Sequence, residues 1–290
     1  MRQEVTQMQI AQSILDRLEA AMAAAAKEAE ENGESPKAPL SPSEHRDLQL
    51  RLIESANSGD GNLDDGIDCK ACRNRGWFMV WDDESQSRVL RECECMVRRR
   101  NNRRLKASGM EDLVRRYTFD NWVEEEQWQK VAKQMAMDYA ERREGWFLAA
   151  GNSGTGKTHL CTAICGKLID EGCDTRYVLW RDFSTNAKAA VGDADEYRRL
   201  LEPLKRAKVL CIDDLFKARK GDRPTDADVK LAFELLNARY NDTAKLTLIS
   251  TEWSLEGLLD IDEALGSRIY ERAKKHWLNF NGRQNWRLRP

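Results

Sequence analysis

Residues 151–158 read GNSGTGKT, and this run constrains the fold more than any other part of the chain. It fits the pattern G-x-x-x-x-G-K-[ST], in which the backbone N–H groups of a glycine-rich loop surround the phosphates of a nucleotide. The apolar stretch GWFLAA before it predicts a strand, and HLCTAICGKLIDEG after it predicts a helix, which is the context that the pattern requires. The expected phosphate-binding residues are Gly151, Asn152, Ser153, Gly154, Thr155, Gly156, Lys157, Thr158 and His159.

The chemistry expected at this loop depends on one cation, one hydroxyl and a pair of acids. We expect Lys157 to reach the β- and γ-phosphate oxygens and the Thr158 hydroxyl to bind Mg²⁺. The apolar strand KVLCIDDL ends in Asp213 and Asp214. An acid at the end of a second strand holds Mg²⁺ in P-loop NTPases, so we expect Asp213 to hold the ion through water and Asp214 to polarise the attacking water.

A further apolar strand, LTLISTEW, ends in two hydroxyl side chains, Ser250 and Thr251. A polar side chain at such a strand tip contacts the γ-phosphate or its attacking water, so both residues are candidate catalytic residues. The alternative is that this polar tip is only a cap for a helix that starts at Ser254.

Apolar strands alternate with helical stretches from about Tyr117 to the end of the sequence. DADVKLAFELLNARY predicts a helix in addition to the one after the glycine-rich loop. Such alternation predicts an α/β fold with a parallel sheet that helices cover on both faces. The segments that predict strands are GWFLAAG, TRYVLW, KVLCIDDL, LTLISTEW and KHWLNF.

Four cysteines lie in two pairs before this region. Cys69 and Cys72 form a C-x2-C pair, and Cys93 and Cys95 form a C-x-C pair after 20 intervening residues. Between the pairs, GWFMVW and SRVLRE predict a short hairpin. Two thiolate pairs joined by a hairpin fit a tetrahedral Zn²⁺ site, and four protein ligands leave no position open for a substrate, so we expect a structural zinc site.

Two other segments each have two interpretations. The run MVRRRNNRRLK contains six basic residues and no acid among its eleven residues, and it predicts either a phosphate-binding patch or a solvated connecting helix. Near the N-terminus, an apolar residue recurs at every third or fourth position from Met8 to Ala25. This stripe predicts a helix that packs either on its own protein or on a partner. Residues 31–45 contain three of the six prolines and predict a linker.

The composition excludes several classes of protein. A net charge of −2 gives no general attraction to nucleic acid or membranes, so a basic surface must be local. No run approaches the roughly 18 apolar residues of a membrane span, and the N-terminus lacks the pattern of a signal peptide. We therefore expect a cytoplasmic protein that does not bind a membrane.

The segment ALGSRIYERAKKHW places Arg268 and Arg272 four residues apart, on one face of a predicted helix. The order of P-loop, IDD strand, polar strand tip and SRIYER resembles the motif order of AAA+ ATPases. YTFDNW, GKTHLCTAI, VLCIDDLFK, DIDEALGSRIYE and the cysteine block resemble the DnaC/DnaI-type replicative helicase loaders of bacteria, particularly the phage DnaC-like branch. The resemblance covers about residues 69–290. Asp214 stands where many AAA+ proteins have Glu, and the strand tip STEW stands where many relatives have Asn.

The resemblance implies an ATPase that binds ATP, Mg²⁺ and Zn²⁺ and has weak or partner-stimulated hydrolysis. It implies that the protein binds the hexameric replicative helicase and delivers it to single-stranded DNA. It also implies self-association through the ATP sites, in which Arg268 is the arginine finger for a neighbouring subunit and Arg272 is a supporting cation or the second choice. No helical lid fits after Arg272, so no arginine carried by a lid is expected.

The implied organisation has three parts. Residues 1–60 form an N-terminal helix and linker, residues 61–106 form the zinc module with its basic connecting helix, and residues 107–290 form the AAA+ domain. The first two parts are expected to bind the helicase. The alternatives are a transposition helper ATPase, which shares these motifs, a P-loop kinase of small molecules, and a zinc-dependent nucleic-acid binder that retains ATP.

Overall fold

The structure is a computed structural model, and it describes residues 41–107, 111–217 and 222–288. The apolar stripe between Met8 and Ala25 lies outside the described residues. The described chain divides into two compact units. The first comprises residues 41–59 and Met79–Arg91, and the second comprises Asp60–Phe78 and the chain from Glu92 onward. The boundaries expected near residues 60 and 106 stay a prediction.

The first unit contains a helix where the sequence predicts the end of a linker. Helix α1 spans Pro42–Ser58. Ser41 begins it with a capping box: its hydroxyl accepts the N–H of Glu44, and the Glu44 carboxylate accepts the N–H of Ser41 at 2.9 Å. Proline is well tolerated in the first turn of a helix, so Pro42 starts this helix instead of breaking it. The linker prediction is therefore wrong from residue 42 onward.

The hairpin predicted between the cysteine pairs is present. Strand β1 spans Trp77–Asp82 and strand β2 spans Ser87–Glu92, and together they form a two-stranded sheet. Helix α2, Cys95–Ala107, begins at the last of the four paired cysteines and contains the basic run. Among the described residues, no helix combines the length and the apolar composition that a membrane span requires.

The second unit contains the predicted five-stranded parallel sheet. Its strands are β3 (Trp146–Ala150), β4 (Thr175–Leu179), β5 (Val209–Leu215), β6 (Leu246–Thr251) and β7 (Trp277–Asn279). Their spatial order is β4-β5-β6-β3-β7, so the strand before the glycine-rich loop lies between β6 and β7. The fold is an α/β fold in which the glycine-rich loop follows an inner strand of a parallel sheet, as the sequence predicts.

Helices cover both faces of this sheet. Along β3, Trp146 and Leu148 belong to one buried cluster, and Phe147 and Ala149 belong to the other. Alternate side chains of a strand point to opposite faces, so β3 has a core on each side. The helices of this unit after α2 are α3 (Glu111–Arg116), α4 (Gln127–Arg142), α5 (Lys157–Asp170), α6 (Trp180–Ala189), α7 (Ala194–Arg206), α8 (Asp226–Tyr240), α9 (Leu255–Ile261) and α10 (Glu263–Ala273).

Candidate nucleotide-binding site

The glycine-rich loop joins β3 to α5. Gly156 has a left-handed backbone with φ of 96°, and a Cβ at this position would lie 2.5 Å from the ring of Trp122. Gly154 has φ of 74°, and a Cβ there would overlap the side chain of Asn285. Only glycine fits both positions without strain, because L-residues avoid this backbone region and no space remains for a side chain. Lys157 then opens α5, whose N-terminal N–H groups face the loop.

Lys157 is held inside the loop. Its Nζ donates a 2.7 Å hydrogen bond to the backbone carbonyl of Asn152, and the hydroxyl of Thr155 donates to the same carbonyl at 2.9 Å. Burial lowers the pKa of Lys157, whereas the charges of Glu252 and Asp214 oppose that shift. The ammonium therefore lies in a partly desolvated position next to two acids, where a phosphate group would find a strong electrostatic partner.

Asp213 lies at the centre of a hydroxyl network. Its carboxylate is buried, and its Oδ1 accepts hydrogen bonds from Thr158 Oγ1 at 2.9 Å and from Ser250. Its Oδ2 accepts a 2.6 Å hydrogen bond from the hydroxyl of Tyr177. A carboxylate beside the hydroxyl of Thr158 is an oxygen donor set of the kind that Mg²⁺ prefers, so the residues fit the ion.

Asp214 has a left-handed backbone, with φ of 55°, and its carboxylate is paired. Its Oδ2 lies 2.7 Å from Lys217 Nζ, which is also 3.5 Å from the carboxylate of Glu252. Burial opposes the charge on Lys217, but the hydrogen bond to Asp214 and the charge of Glu252 raise its pKa. The acid expected to polarise water is thus bound to an ammonium group of its own subunit.

The strand tip of β6 differs from its predicted arrangement. Ser250 accepts the N–H of Asp214 at 2.9 Å and donates to Asp213. The hydroxyl of Thr251 donates to the carbonyl of Leu215 at 2.8 Å. Both side chains are fully buried, and within the described residues neither lies on the wall of the cavity in front of the loop.

These hydrogen bonds hold the end of β5 on the side away from the cavity. Ser250 positions Asp213 and Asp214, and Thr251 joins β6 to β5. Helix α9 has its own cap in Ser254, which accepts the N–H of Gly257 at 3.1 Å. The residue of the strand tip that does face the cavity is Glu252.

The cavity in front of the loop measures about 390 Å³, within the range of small-molecule sites. Its wall includes the loop and the Asp214, Lys217 and Glu252 cluster. It also includes an aromatic group next to the loop: the His159 ring lies 4.9 Å from the ring of Tyr117 and 5.2 Å from that of Trp122. Cations and aromatic rings in one cavity suit the phosphates and the base of a nucleotide. The sequence patterns assign no role to Lys217 or Glu252, because these two residues come together only through the pairing of β5 with β6.

The two arginines of α10 have different environments, and neither lines this cavity. Arg272 donates to the carbonyl of Tyr240 at 3.1 Å, and its guanidinium lies 5.8 Å from the ring centre of Trp146. Arg268 donates to the carbonyl of Ala264, one turn earlier in its own helix, at 2.7 Å. Its guanidinium lies over the rings of Phe233 and Tyr240 on α8, and its Nε has no hydrogen-bond partner among the described residues. Arg272 therefore holds the end of α8, whereas the hydrogen bond of Arg268 stays within its own helix.

The four cysteines of the two pairs converge. Their Sγ atoms all lie within 4.8 Å of one another. Cys69 Sγ is 3.8 Å from Cys93 Sγ, and Cys72 Sγ is 3.6 Å from Cys95 Sγ. Zinc–sulfur bonds of about 2.3 Å give S–S distances of about 3.8 Å in a regular tetrahedron, so the thiols fit this ion.

The environment of one thiol favours its ionised form. Burial alone would raise the pKa of Cys72, but the N–H of Gly76, 3.2 Å from its Sγ, and the neighbouring thiols lower that pKa to about 7. Burial raises the pKa of Cys93 and of Cys95, so Cys72 is the thiol that most readily takes the ionised, metal-binding form.

The basic run on α2 is largely neutralised by its own protein. Arg99 is buried and donates to the carbonyl of Ile67 at 2.7 Å, next to its ion pair with Asp65. Three other arginines of the run form ion pairs: Arg98 with Asp170, Arg100 with Glu92 and Arg104 with Asp174. Of the two interpretations of this run, the connecting helix is the one that these contacts support.

Comparisons with known proteins agree with this site. The family model described as "IstB-like ATP binding protein" matches residues 75–285. The phage-like element PBSX protein XkdC of Bacillus subtilis (strain 168) is 32% identical over 227 residues, which cover 74% of this chain and 83% of that protein. The replicative helicase loader DnaC of Escherichia coli (strain K12) is 26% identical over 217 residues, which cover 70% of this chain and 83% of that protein. A crystal structure of the DnaC helicase loader aligns with a TM-score of 0.49 at 21% identity, over 55% of this chain and 95% of that one.

Proposed function

Since the chain belongs to the IstB/DnaC-like family of AAA+ ATP-binding proteins, we propose that it is an ATP-dependent loader of the replicative DNA helicase. In this proposal it binds the hexameric helicase in the cytoplasm and delivers it to single-stranded DNA during replication. The observation that supports this most is the relationship to a replicative helicase loader over 83% of that protein's length. ATP binding in the nucleotide cavity would make the loading of the helicase depend on ATP.

In the proposed ATP site, the loop N–H groups and Lys157 bind the phosphates. Thr158 and Asp213 hold Mg²⁺, which would neutralise charge on the phosphates. Asp214 orients the attacking water. Its ion pair with Lys217 opposes that role in the isolated subunit, and this supports weak or partner-stimulated hydrolysis.

We propose that the site is completed by Arg268 of a neighbouring subunit, so that ATP favours self-association. One difference supports Arg268 over Arg272. Among the described residues, Arg268 donates only to a carbonyl of its own helix, whereas Arg272 is bound to carbonyl groups at the end of α8. An arginine delivered to a γ-phosphate accelerates hydrolysis by on the order of 10³-fold or more in other NTPases.

We propose that the four-cysteine cluster binds one structural Zn²⁺. Four sulfur ligands close the coordination sphere, and their spacing supports a tetrahedral ion. The zinc module and the apolar stripe between Met8 and Ala25 are the proposed helicase-binding elements, and the stripe supports this only through its sequence pattern.

The test of the proposal is co-purification with the replicative helicase of the same host. Tagged protein should retain the purified helicase in the presence of ATP and Mg²⁺, and a chain that lacks residues 1–40 should retain less helicase while binding ATP normally. The second candidate, a transposition helper, predicts that the tagged protein retains a transposase and no helicase. A kinase would instead consume ATP in response to a small acceptor and not in response to DNA or helicase.

A further inference from the structure

The chain after β7 returns to the phosphate-binding loop. The N–H of Phe280 donates to the carbonyl of Ala150 at 2.7 Å, immediately before the loop. The N–H of Trp286 then donates to the carbonyl of Gly154 at 2.8 Å, in the middle of the loop. We call residues 281–288 the C-terminal segment.

The C-terminal segment packs closely against two glycines of the loop. A Cβ on Gly151 would lie 2.6 Å from the backbone nitrogen of Asn281, and a Cβ on Gly154 would lie 1.8 Å from the side-chain oxygen of Asn285. Distances under about 3 Å are closer than van der Waals contact allows. Two loop positions therefore have no side chain where this segment passes.

The segment has a defined local structure that turns three side chains toward the cavity. The Asn285 side chain accepts the N–H of Arg287 at 3.0 Å, and residues Trp286–Leu288 form a 3-10 turn. Gln284, Trp286 and Arg287 line the same cavity as Lys157. The C-terminal segment is thus part of the wall of the nucleotide cavity.

Two arginines that line the cavity, Arg116 and Arg287, form no ion pair among the described residues, and Arg287 belongs to the segment that is hydrogen-bonded to the loop. A nucleoside triphosphate carries several negative charges, so cations without a carboxylate partner are its natural contacts. Lys217 is already shared between Asp214 and Glu252. Arg287 has no ion pair in the described part of the chain, and its segment is hydrogen-bonded to the loop that surrounds the phosphates.

We infer that Arg287 contacts the phosphates of ATP bound in its own subunit and that the C-terminal segment is part of the nucleotide site. This inference rests on the proposed ATP site and adds a residue to it. Arg268 and Arg287 then act on different nucleotides, one on the neighbour's and one on its own.

The test measures nucleotide affinity of full-length variants by calorimetry with Mg²⁺ and ATP, ADP or AMP. Arg287→Ala should weaken ATP binding by about tenfold, as expected for the loss of one charged hydrogen-bonding contact. The loss should be smaller for ADP and smallest for AMP, since fewer phosphates remain to be contacted. Arg287→Lys should retain part of the affinity.

Arg283→Ala is the matched control. It removes the same charge from the same segment, but Arg283 lies over the ring of Trp128 and does not line the cavity, so ATP affinity should change by less than about twofold. Arg116→Ala tests the other arginine that lines the cavity. Thermal unfolding of each variant checks that it is folded. If Arg287→Ala does not fold, the ATP affinity of Arg287→Lys provides the test instead.

Three results would overturn the inference. ATP affinity could be unchanged in Arg287→Ala, or it could rise, which would mean that the segment blocks the site. The ATP-specific loss could also appear in Arg116→Ala in place of Arg287→Ala. If the wild-type chain binds no ATP, the proposed function is contradicted together with this inference. If the wild-type chain binds ATP and Lys157→Ala does not, the proposed ATP site is supported, whether or not Arg287→Ala changes the affinity.

Discussion

The hydroxyl of Tyr177 donates a 2.6 Å hydrogen bond to Oδ2 of Asp213, the proposed magnesium ligand. The two residues lie on adjacent strands, β4 and β5, whose register pairs Leu179 with Asp213. Burial and the nearby charge of Asp213 raise the pKa of Tyr177, so its hydroxyl stays protonated and remains a donor. The bond fixes one carboxylate oxygen of Asp213 while the Thr158 hydroxyl contacts the other.

Removal of this hydroxyl should disturb magnesium use. Tyr177→Phe leaves a buried carboxylate oxygen without its donor, so we expect about 1–3 kcal/mol of destabilisation. We also expect the Mg²⁺ concentration for half-maximal hydrolysis to rise several-fold, because Asp213 loses its orientation. Tyr270→Phe, at an exposed tyrosine of α10, is the control. An unchanged magnesium dependence in Tyr177→Phe would show that Asp213 needs no such support.

The ion pair of Asp214 with Lys217 leads to a second prediction. Lys217→Ala frees the carboxylate that is proposed to orient water, so basal hydrolysis should rise by about two- to fivefold, the scale of one partly exposed ion pair. Lys230→Ala, an exposed lysine on α8, should have no effect. Steady-state turnover at saturating ATP measures both. A fall in turnover in Lys217→Ala would contradict this account and would indicate that Lys217 binds phosphate.

The parts of this molecule that the sequence predicts are those with a short-range pattern. The glycine-rich loop, its strand and its helix lie within about 25 consecutive residues, and each strand of the large sheet contains a short apolar stretch. The cysteine cluster follows from two close pairs. In each case neighbours in sequence are also neighbours in space, so spacing alone predicts the geometry.

The parts that the sequence does not predict depend on tertiary contacts. Glu252 and Lys217 meet because β5 and β6 are adjacent, although 34 residues separate them in the sequence. The contact of Trp286 with Gly154 depends on the position of β7 beside β3. Helix α7 contains Pro203, which does not break it in this context, and no helix was predicted there. Local patterns carry no information about such pairings.

Metal removal should affect more than the cysteine loops. Arg99 on α2 is hydrogen-bonded to the cysteine loops. Asn101, also on α2, has a buried side chain that donates to the carbonyl of Cys173 at 2.5 Å. The same side chain accepts the N–H of Thr175, at the start of β4, at 3.3 Å. We therefore expect Cys72→Ser to lose the zinc and to lose hydrogen-exchange protection in residues 60–107 and at the start of β4, while α5 stays protected.

Cys173→Ser is the matched control for this experiment. Cys173 lies outside the cluster and contributes only its carbonyl to Asn101, so this variant should keep one zinc per chain and the wild-type exchange pattern. Elemental analysis of protein purified under reducing conditions measures the zinc. Wild-type protein without zinc would contradict the metal assignment, and protection lost only in residues 69–95 would contradict the link through α2.

Arg268 should act on a neighbouring subunit. Arg268→Ala should bind ATP with nearly wild-type affinity, because Arg268 does not line its own cavity, but its hydrolysis should fall. A mixture of Arg268→Ala and Lys157→Ala subunits should regain hydrolysis that neither variant shows alone, since one junction combines an intact loop with an intact arginine. Arg272→Ala should instead lower stability, because Arg272 binds carbonyl groups of α8, and mixing should not restore its activity. A mixture that co-assembles yet stays inactive would contradict the role of Arg268 in trans.

The most direct test of the proposed function is a helicase-loading assay. Purified replicative helicase of the host is added to single-stranded DNA that is coated with single-strand binding protein and carries an annealed labelled strand, and release of that strand reports loading. With wild-type protein and ATP we expect release well above helicase alone, and with Lys157→Ala we expect the level of helicase alone. Release that is the same with and without the protein, or the same with Lys157→Ala as with wild type, would contradict an ATP-dependent loader.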